Sequence, residues 1–436
     1  MGRERGVGTL PAGLRAPLVQ RILSGAIWSA VGASAATGIN LITFLLLARE
    51  LGKESYGHFI AVQTTLSTVG TLSGFGIGSA ATRYVAELKG RDSARLCGIL
   101  VLSQRLLFAL GIFGSITLAL SAEWLASSVL DAPDLRLPLI LAAASVLFSA
   151  LDAYQKSVLI GFEAMRPLAI ATVAGALCGV PAILLAAHFS GVDGAAAGIA
   201  AASIFQWAIS RGAVRREVAE AFAHHKGLKR RNEWPVIWKF ALPAFIAGAL
   251  IGPTHWCVQV ILANSPGSFA EVATLGIAMQ WFSLILFLPN TTGRVILPIL
   301  TERIASDDSG GARRVLLYSM IANAIVAAPI AVTAALLSPY VAGLYGRDFA
   351  NSHVAISLAV LIAALVATVT PTGNMLAATA RMWIGAIMNA GWAAIYLLGA
   401  YLLADRGAVG ALYALLIGYV FHAAWTFGFT FRYLSR

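Results

Sequence analysis

Amide, imidazole and guanidinium side chains set inside long apolar runs are the first residues in this chain that could do chemistry. His255, Gln259, Gln280, Asn290 and Arg294 fall between positions 239 and 299, and Asn40 and Gln63 stand in the matching part of the first half. Amides hydrogen-bond neutral hydroxyls, and a guanidinium holds phosphate through paired donors. Together these residues would make a polar cleft between the two halves. An enzyme such as a glycan polymerase or ligase is not expected, because the short loops near 121–136 and 338–352 offer neither paired carboxylates nor a His cluster for acid–base work. A second group is Arg105, Asp152 and Lys156. A hairpin centred near residue 128 puts Arg105 and Asp152 at one depth and predicts an ion pair, with Lys156 one turn below Asp152 as a second partner. Two readings stay open for Asp152: structural glue, or a site for a coupling proton or cation.

Only a membrane supplies elements that would hold such residues in place. The chain has 436 residues, 58% of them hydrophobic and 12% charged, with mean hydropathy +0.79; a soluble domain carries about 25% charged residues. Apolar runs at 22–48, 56–79, 97–120, 137–161, 166–187, 191–210, 239–262, 271–299, 315–337, 353–378, 382–403 and 408–430 read as about twelve spans. They read as helices, since backbone amides in hydrocarbon must be satisfied within the segment. The fold class is therefore all-α, a polytopic membrane protein. A short cytoplasmic segment 1–21, a six-helix bundle 22–210, a basic linker 211–238 and a second bundle 239–436 would enclose a central cleft. The first apolar run continues through Leu47, beyond the length of a signal-peptide core, so it is expected to stay as a helix. Cys97, Cys178 and Cys257 lie far apart and read as small packing residues. No metal or other cofactor is expected.

Charge placement orients the spans. With the N-terminus in the cytoplasm, 25 of the 31 Lys and Arg fall on the inner side, five on the outer side, and Arg105 lies within a span. That asymmetry is the positive-inside bias for an even number of spans with both termini cytoplasmic. The linker, with Arg215-Arg216 and Lys229-Arg230-Arg231, reads as a solvated loop near anionic headgroups, each basic residue contributing about 1 kcal/mol. Anionic membrane lipids are the partners this implies, and nucleic acid is not.

A short echo relates the halves: Ala61-Val62-Gln63 recurs as Ala278-Met279-Gln280. Parallel repeats about a central path suit a transporter. A second hairpin, centred near 267, places His255 beside Gln280 in one layer. Pro253 and Pro289 are expected to break the neighbouring helices, and Pro371-Thr372-Gly373-Asn374 to break the tenth span near its inner end. Trp256 and Trp281 either stack on sugar rings or pack; Trp124, Trp234, Trp238, Trp383 and Trp425 read as interfacial anchors.

The run from Leu46 to Phe59, with Ala48-Arg49-Glu50-Leu51-Gly52 and Tyr56-Gly57-His58-Phe59, is followed by Gly74-Phe75-Gly76-Ile77-Gly78 and Thr82-Arg83-Tyr84. Over roughly these first 90 residues the chain resembles Wzx-type polysaccharide and O-antigen flippases of the multidrug/oligosaccharidyl-lipid/polysaccharide exporter superfamily. The resemblance implies a transporter of the bacterial inner membrane that moves a lipid-linked oligosaccharide, typically undecaprenyl-pyrophosphate-linked, to the outer leaflet, serving lipopolysaccharide or related glycan synthesis beside glycan-assembly membrane proteins. Arg294 and Arg83 would then draw the phosphates while Gln280, Gln63 and Asn40 bond sugar hydroxyls. The alternative in the same fold, a cation-coupled multidrug antiporter, calls for acids lining the cleft, and the first span has none. Apart from kinship, the run caps a hairpin: Arg49 suits the helix dipole in a last turn, Gly52 takes the left-handed stop, and Gly57 restarts the chain in a tight outer turn.

Overall fold

The structure, a computed structural model, describes residues 12–222, 249–306, 308–379 and 381–434, with Trp234 and Phe245 between them. Among the described residues all regular structure is helical. The first half comprises α1 (Ala12–Leu51), α2 (Lys53–Gly74), α3 (Ile77–Leu88), α4 (Ser93–Trp124), α5 (Arg136–Ala142), α6 (Ala144–Gly161) and α7 (Met165–Phe222). The second comprises α8 (Ile251–Ala263), α9 (Ser268–Ala305), α10 (Ser309–Leu336), α11 (Ser338–Leu344), α12 (His353–Ala378), α13 (Met382–Leu402) and α14 (Gly407–Leu434).

Among the described residues, eight helices are long and apolar enough to cross a membrane, and α5 with α6, bent by 41°, make a ninth span. The long α7 holds two spans. Its chain turns at Ser190 and Gly191, where Gly191 has φ +57°, and close approaches of Gly179 to Ala202 and of Gly198 to Ala182 show that the two arms run antiparallel. The expected spans 56–79 and 239–262 fall on the more polar α2 and on α8, of which the described helix begins at Ile251. The stretch 211–222 of the basic segment continues α7 as helix; most of the remainder of that segment lies outside the described residues.

Helices meet along faces of small residues. On α12, Ala355, Ala359, Ala363 and Ala367 are all fully buried, a ladder that lets α9 and α10 approach closely where lipid supplies no hydrophobic drive of its own. The predicted break at Pro371 does not occur, and α12 runs on to Ala378. Proline removes the donor that Ala367 O would have received, and Asn323 Nδ2 of α10 supplies another at 3.0 Å. Helix α9 likewise continues through Pro289.

The expected Arg105–Asp152 pair is not formed. On α4 the buried stripe runs through Leu96, Ile99, Ser103, Leu107, Gly111, Gly114 and Leu118. Arg105 stands two residues from both Ser103 and Leu107, about 200° around the helix, and is exposed beside Phe108. Depth was read correctly and direction was not. Arg105→Gln should therefore leave the unfolding temperature in lipid nanodiscs unchanged, within about 0.5 kcal/mol; a marked loss would show that Arg105 has a structural partner after all.

Candidate functional site

The polar residues of α2 recur at helical spacing: Gln63, Thr64, Ser67 and Thr71 share one face with Ile60. That face looks into a cavity of about 370 Å³ between the halves, where Asn40 of α1, Gln259 of α8 and Gln280 of α9 meet it. The two glutamines of the sequence echo thus line one cavity from opposite sides. Ala61 and Ala278, two residues before each, are buried at 2% and 0% exposure, so both helices are held in matching orientations.

A second cavity of about 540 Å³ shares Gln63 and Ser67 with the first and runs down the first half. Its walls include the hydroxyls of Thr71, Ser79, Ser145, Ser149 and Ser157 and the bare backbone of Gly70, Gly74 and Gly78, beside apolar residues such as Leu66, Leu107 and Ile199. Neither cavity is lined by an acidic or basic side chain among the described residues. Arg83 stands one turn beyond Ser79 on α3 and is not among the residues that line this cavity. It is exposed, stands 5.7 Å over the Tyr84 ring and lies 3.9 Å from Glu87.

The four amides divide into two kinds. Asn40 and Gln63 make no side-chain hydrogen bond among the described contacts, so their donors and acceptors remain available to the cavity. Gln259 and Gln280 join the halves. Thr64 Oγ1 donates to Gln259 Oε1 at 2.5 Å, Gln280 Nε2 donates to Tyr56 OH at 2.7 Å, and Tyr345 OH donates to Gln280 Oε1 at 3.3 Å. Trp256 Nε1 donates to Thr65 Oγ1 at 2.9 Å, and Trp281 Nε1 to Tyr345 OH at 3.1 Å. Both indoles are engaged in this seam and neither lines the cavities.

The seam continues to the end of the molecule that is poor in arginine. There Arg49 Nε donates to Leu344 O, Asn264 Nδ2 donates to Val129 O at 2.8 Å, and the rings of His58 and Phe269 lie 4.1 Å apart. Gly52 has the expected positive φ, 75°. Gly57, expected in a turn, instead lies inside α2, and its missing side chain lets the Phe269 backbone carbonyl of α9 press against it. Toward the arginine-rich end the described ring contact between the halves is Phe75 with Phe245, at 5.0 Å.

The other predicted residues fall elsewhere. His255 does not join Gln280 at the cavity: its ring packs on Trp392 and Tyr396 of α13, with centroids 5.7 and 5.5 Å away. Each residue turns a helix by 100°, which sends Trp256 towards α2 and His255 towards α13. The side chains of Asn290 and Arg294 lie outside the described residues; both positions follow Gln280 on α9 in the direction of the arginine-rich end. Asp152 is buried; Lys156 Nζ of its own helix lies 2.8 Å away, and Ser210 Oγ of α7 donates to it at 2.6 Å. Lys156 is thus the partner that Arg105 was expected to be. Sequence reading missed Tyr56, Tyr345, Thr64 and the serines of the groove. The spacing of Gln63, Thr64, Ser67 and Thr71 was the available signal.

A family model described as "Polysaccharide biosynthesis protein" matches residues 22–304. The EPS I polysaccharide export inner membrane protein EpsE of Ralstonia nicotianae is 24% identical over 392 residues, 87% of this chain and 86% of that protein. EpsE of Ralstonia solanacearum is 24% identical over 400 residues, 88% of each. Among solved structures, a multidrug resistance MATE family transporter of the MOP superfamily in its inward-facing conformation aligns with TM-score 0.76 at 16% identity, covering 93% of this chain and 98% of that one. An outward-facing conformation of such a transporter aligns with TM-score 0.67 at 16% identity, over 95% of each.

Proposed function

As a member of the polysaccharide biosynthesis protein family, whose model spans residues 22–304, this chain is, we propose, a flippase that carries a lipid-linked oligosaccharide from the inner to the outer leaflet of a bacterial inner membrane. The observation that supports this reading is a pair of adjoining cavities: Asn40 and Gln63 open into one between the halves, and a second, bordered by Thr71, Ser79, Ser145, Ser149 and Ser157, runs down the first half. Neutral donors and acceptors suit sugar hydroxyls, which bind without the desolvation penalty that fixed charges impose. The phosphate linkage needs cations instead, and Arg83 and Arg294 are the residues to supply them. The prenyl tail stays in lipid.

The arginine-rich end is cytoplasmic by the positive-inside bias, with both termini there. On that assignment the hydrogen-bonded seam closes the outer side, and the substrate enters from the inner leaflet. Alternating access exchanges this seam for one on the inner side.

Replacing Gln63 or Asn40 with Leu leaves sugar hydroxyls unpaired, at about 1–3 kcal/mol each, and should lower surface glycan about tenfold or more with protein level unchanged. Arg83→Gln should do the same through the phosphates. Normal export in all three variants would remove the path from the mechanism. The antiporter reading draws on the fold likeness to multidrug transporters. Against it, no carboxylate lines either cavity among the described residues, and Asp152 is turned away and paired. Drug efflux that depends on Asp152 while glycan export does not would favour it.

A further inference from the structure

We propose that the second half carries, apart from the central path, a site for the phosphate headgroup of an amphiphile, formed by Arg381, Arg432 and Ser309 at the arginine-rich end. These residues border a cavity of about 810 Å³ that shares no lining residue with the two cavities described above.

Three elements build it. One face of α14 contributes Trp425, Gly428, Phe429 and Arg432 at i, i+3, i+4 and i+7; the segment between α12 and α13 contributes Arg381; the first turn of α10 contributes Ser309. The guanidinium carbon of Arg381 lies 4.7 Å from the Tyr433 ring centre and 5.8 Å from that of Phe429. Stacking fixes the plane of the guanidinium while its N–H edge stays free to meet an acceptor, the geometry that fits phosphate through two bonds. Gly428 keeps the floor open, since a methyl there would meet nothing within 4 Å. Asp308, the residue before Ser309, is already engaged by Gly311 N at 2.7 Å and by Arg303 at 2.9 Å. Those bonds hold its carboxyl below the usual carboxylate range, the Gly311 N–H first and Arg303 after it.

The chemistry of the walls decides that the ligand has a tail. Trp425 stands seven residues before Arg432, about 10 Å deeper along α14, and is exposed on the same face. A cationic mouth above an aromatic wall is the pattern an anionic headgroup with an apolar chain would fill. Two sources carry that chemistry: an ordinary anionic phospholipid, and a prenyl diphosphate of the kind a lipid-linked glycan would carry. The site does not depend on the transport reading, because its residues lie outside the central path.

Native mass spectrometry of the full chain tests it, with phosphatidylglycerol, phosphatidylcholine and farnesyl diphosphate as probes. Wild type should retain one phosphatidylglycerol or one farnesyl diphosphate in preference to phosphatidylcholine. Arg381→Gln and Arg432→Gln should each lower that occupancy about fivefold, and Arg347→Gln at the opposite end should not. Arg381→Lys, which keeps charge and loses the planar stack, should fall between. Displacement of phosphatidylglycerol by farnesyl diphosphate names a diphosphate lipid as the ligand; the reverse names bulk phospholipid. Unchanged occupancy in both Gln variants, or equal retention of phosphatidylcholine, would overturn the site. Melting in nanodiscs checks that each variant is folded.

Discussion

Gly57→Ala should fold, reach the membrane and fail to export glycan. A methyl at this position would overlap the carbonyl of Phe269, so the two halves could no longer meet at their arginine-poor end. That collision is with backbone, which cannot rotate away, and overpacking of this kind costs about 1–3 kcal/mol. It exists only while the seam is closed. The substitution therefore penalises one conformation and spares the other, shifting their ratio about ten- to a hundredfold. Spin labels at Glu54 and Pro266, both exposed at that end, should report a longer distance in the variant. Gly38→Ala is the control, because a methyl there meets open space. An unchanged distance together with unimpaired export would mean that the seam is not a moving contact. A collapsed protein level would instead mean that the approach of Gly57 to Phe269 is needed for folding, and then weaker seam variants such as Asn264→Ala must carry the test.

The second large effect concerns stability. Lys156→Met strands Asp152 in the first bundle, where its side chain is only 10% exposed and only Ser210 remains to donate to it. Removing one partner of a buried pair costs about 3–5 kcal/mol, since the surviving charge is uncompensated. The lower end is expected here, because the Lys156 side chain is 27% exposed and water already reaches it. Adding Asp152→Asn should restore most of the loss, and the pair should be strongly non-additive in thermal unfolding. Additive effects would mean that the two residues do not act as a unit. Ser210 Oγ to Asp152 joins α7 to α6 at this level, and Gln206 Nε2, donating to Ser210 Oγ at 3.3 Å within α7, extends the network.

Particular residues show how far the sequence reaches. Gln63 and Gln280 were singled out by a three-residue echo, and they do face one cavity. Asn40 and Gln259 joined them because amides in apolar helices are rarely left pointing into lipid. The Lys156 contact was legible too, since four residues on a helix bring side chains together without help from any neighbour. Arg105 and His255 failed for one shared reason: a hairpin fixes how deep a residue sits, whereas its compass direction depends on which helix packs alongside. Gly57 failed differently. Nothing within its own helix requires a bare Cα; the requirement comes from a carbonyl 212 positions later in the chain.

What the chain determines by itself is thus whatever is local along its axis. Hydropathy sets membrane class, the placement of Lys and Arg marks one end as arginine-rich and the other as arginine-poor, and a rise of about 1.5 Å per residue sets depth. Tertiary structure decided the rest: which face of each helix turns inward, which amides seal the seam and which stay open, and where Arg381 finds aromatic rings to rest on. Those outcomes turn on rotations of 100° per residue and on contacts between segments hundreds of positions apart, so no local pattern encodes them.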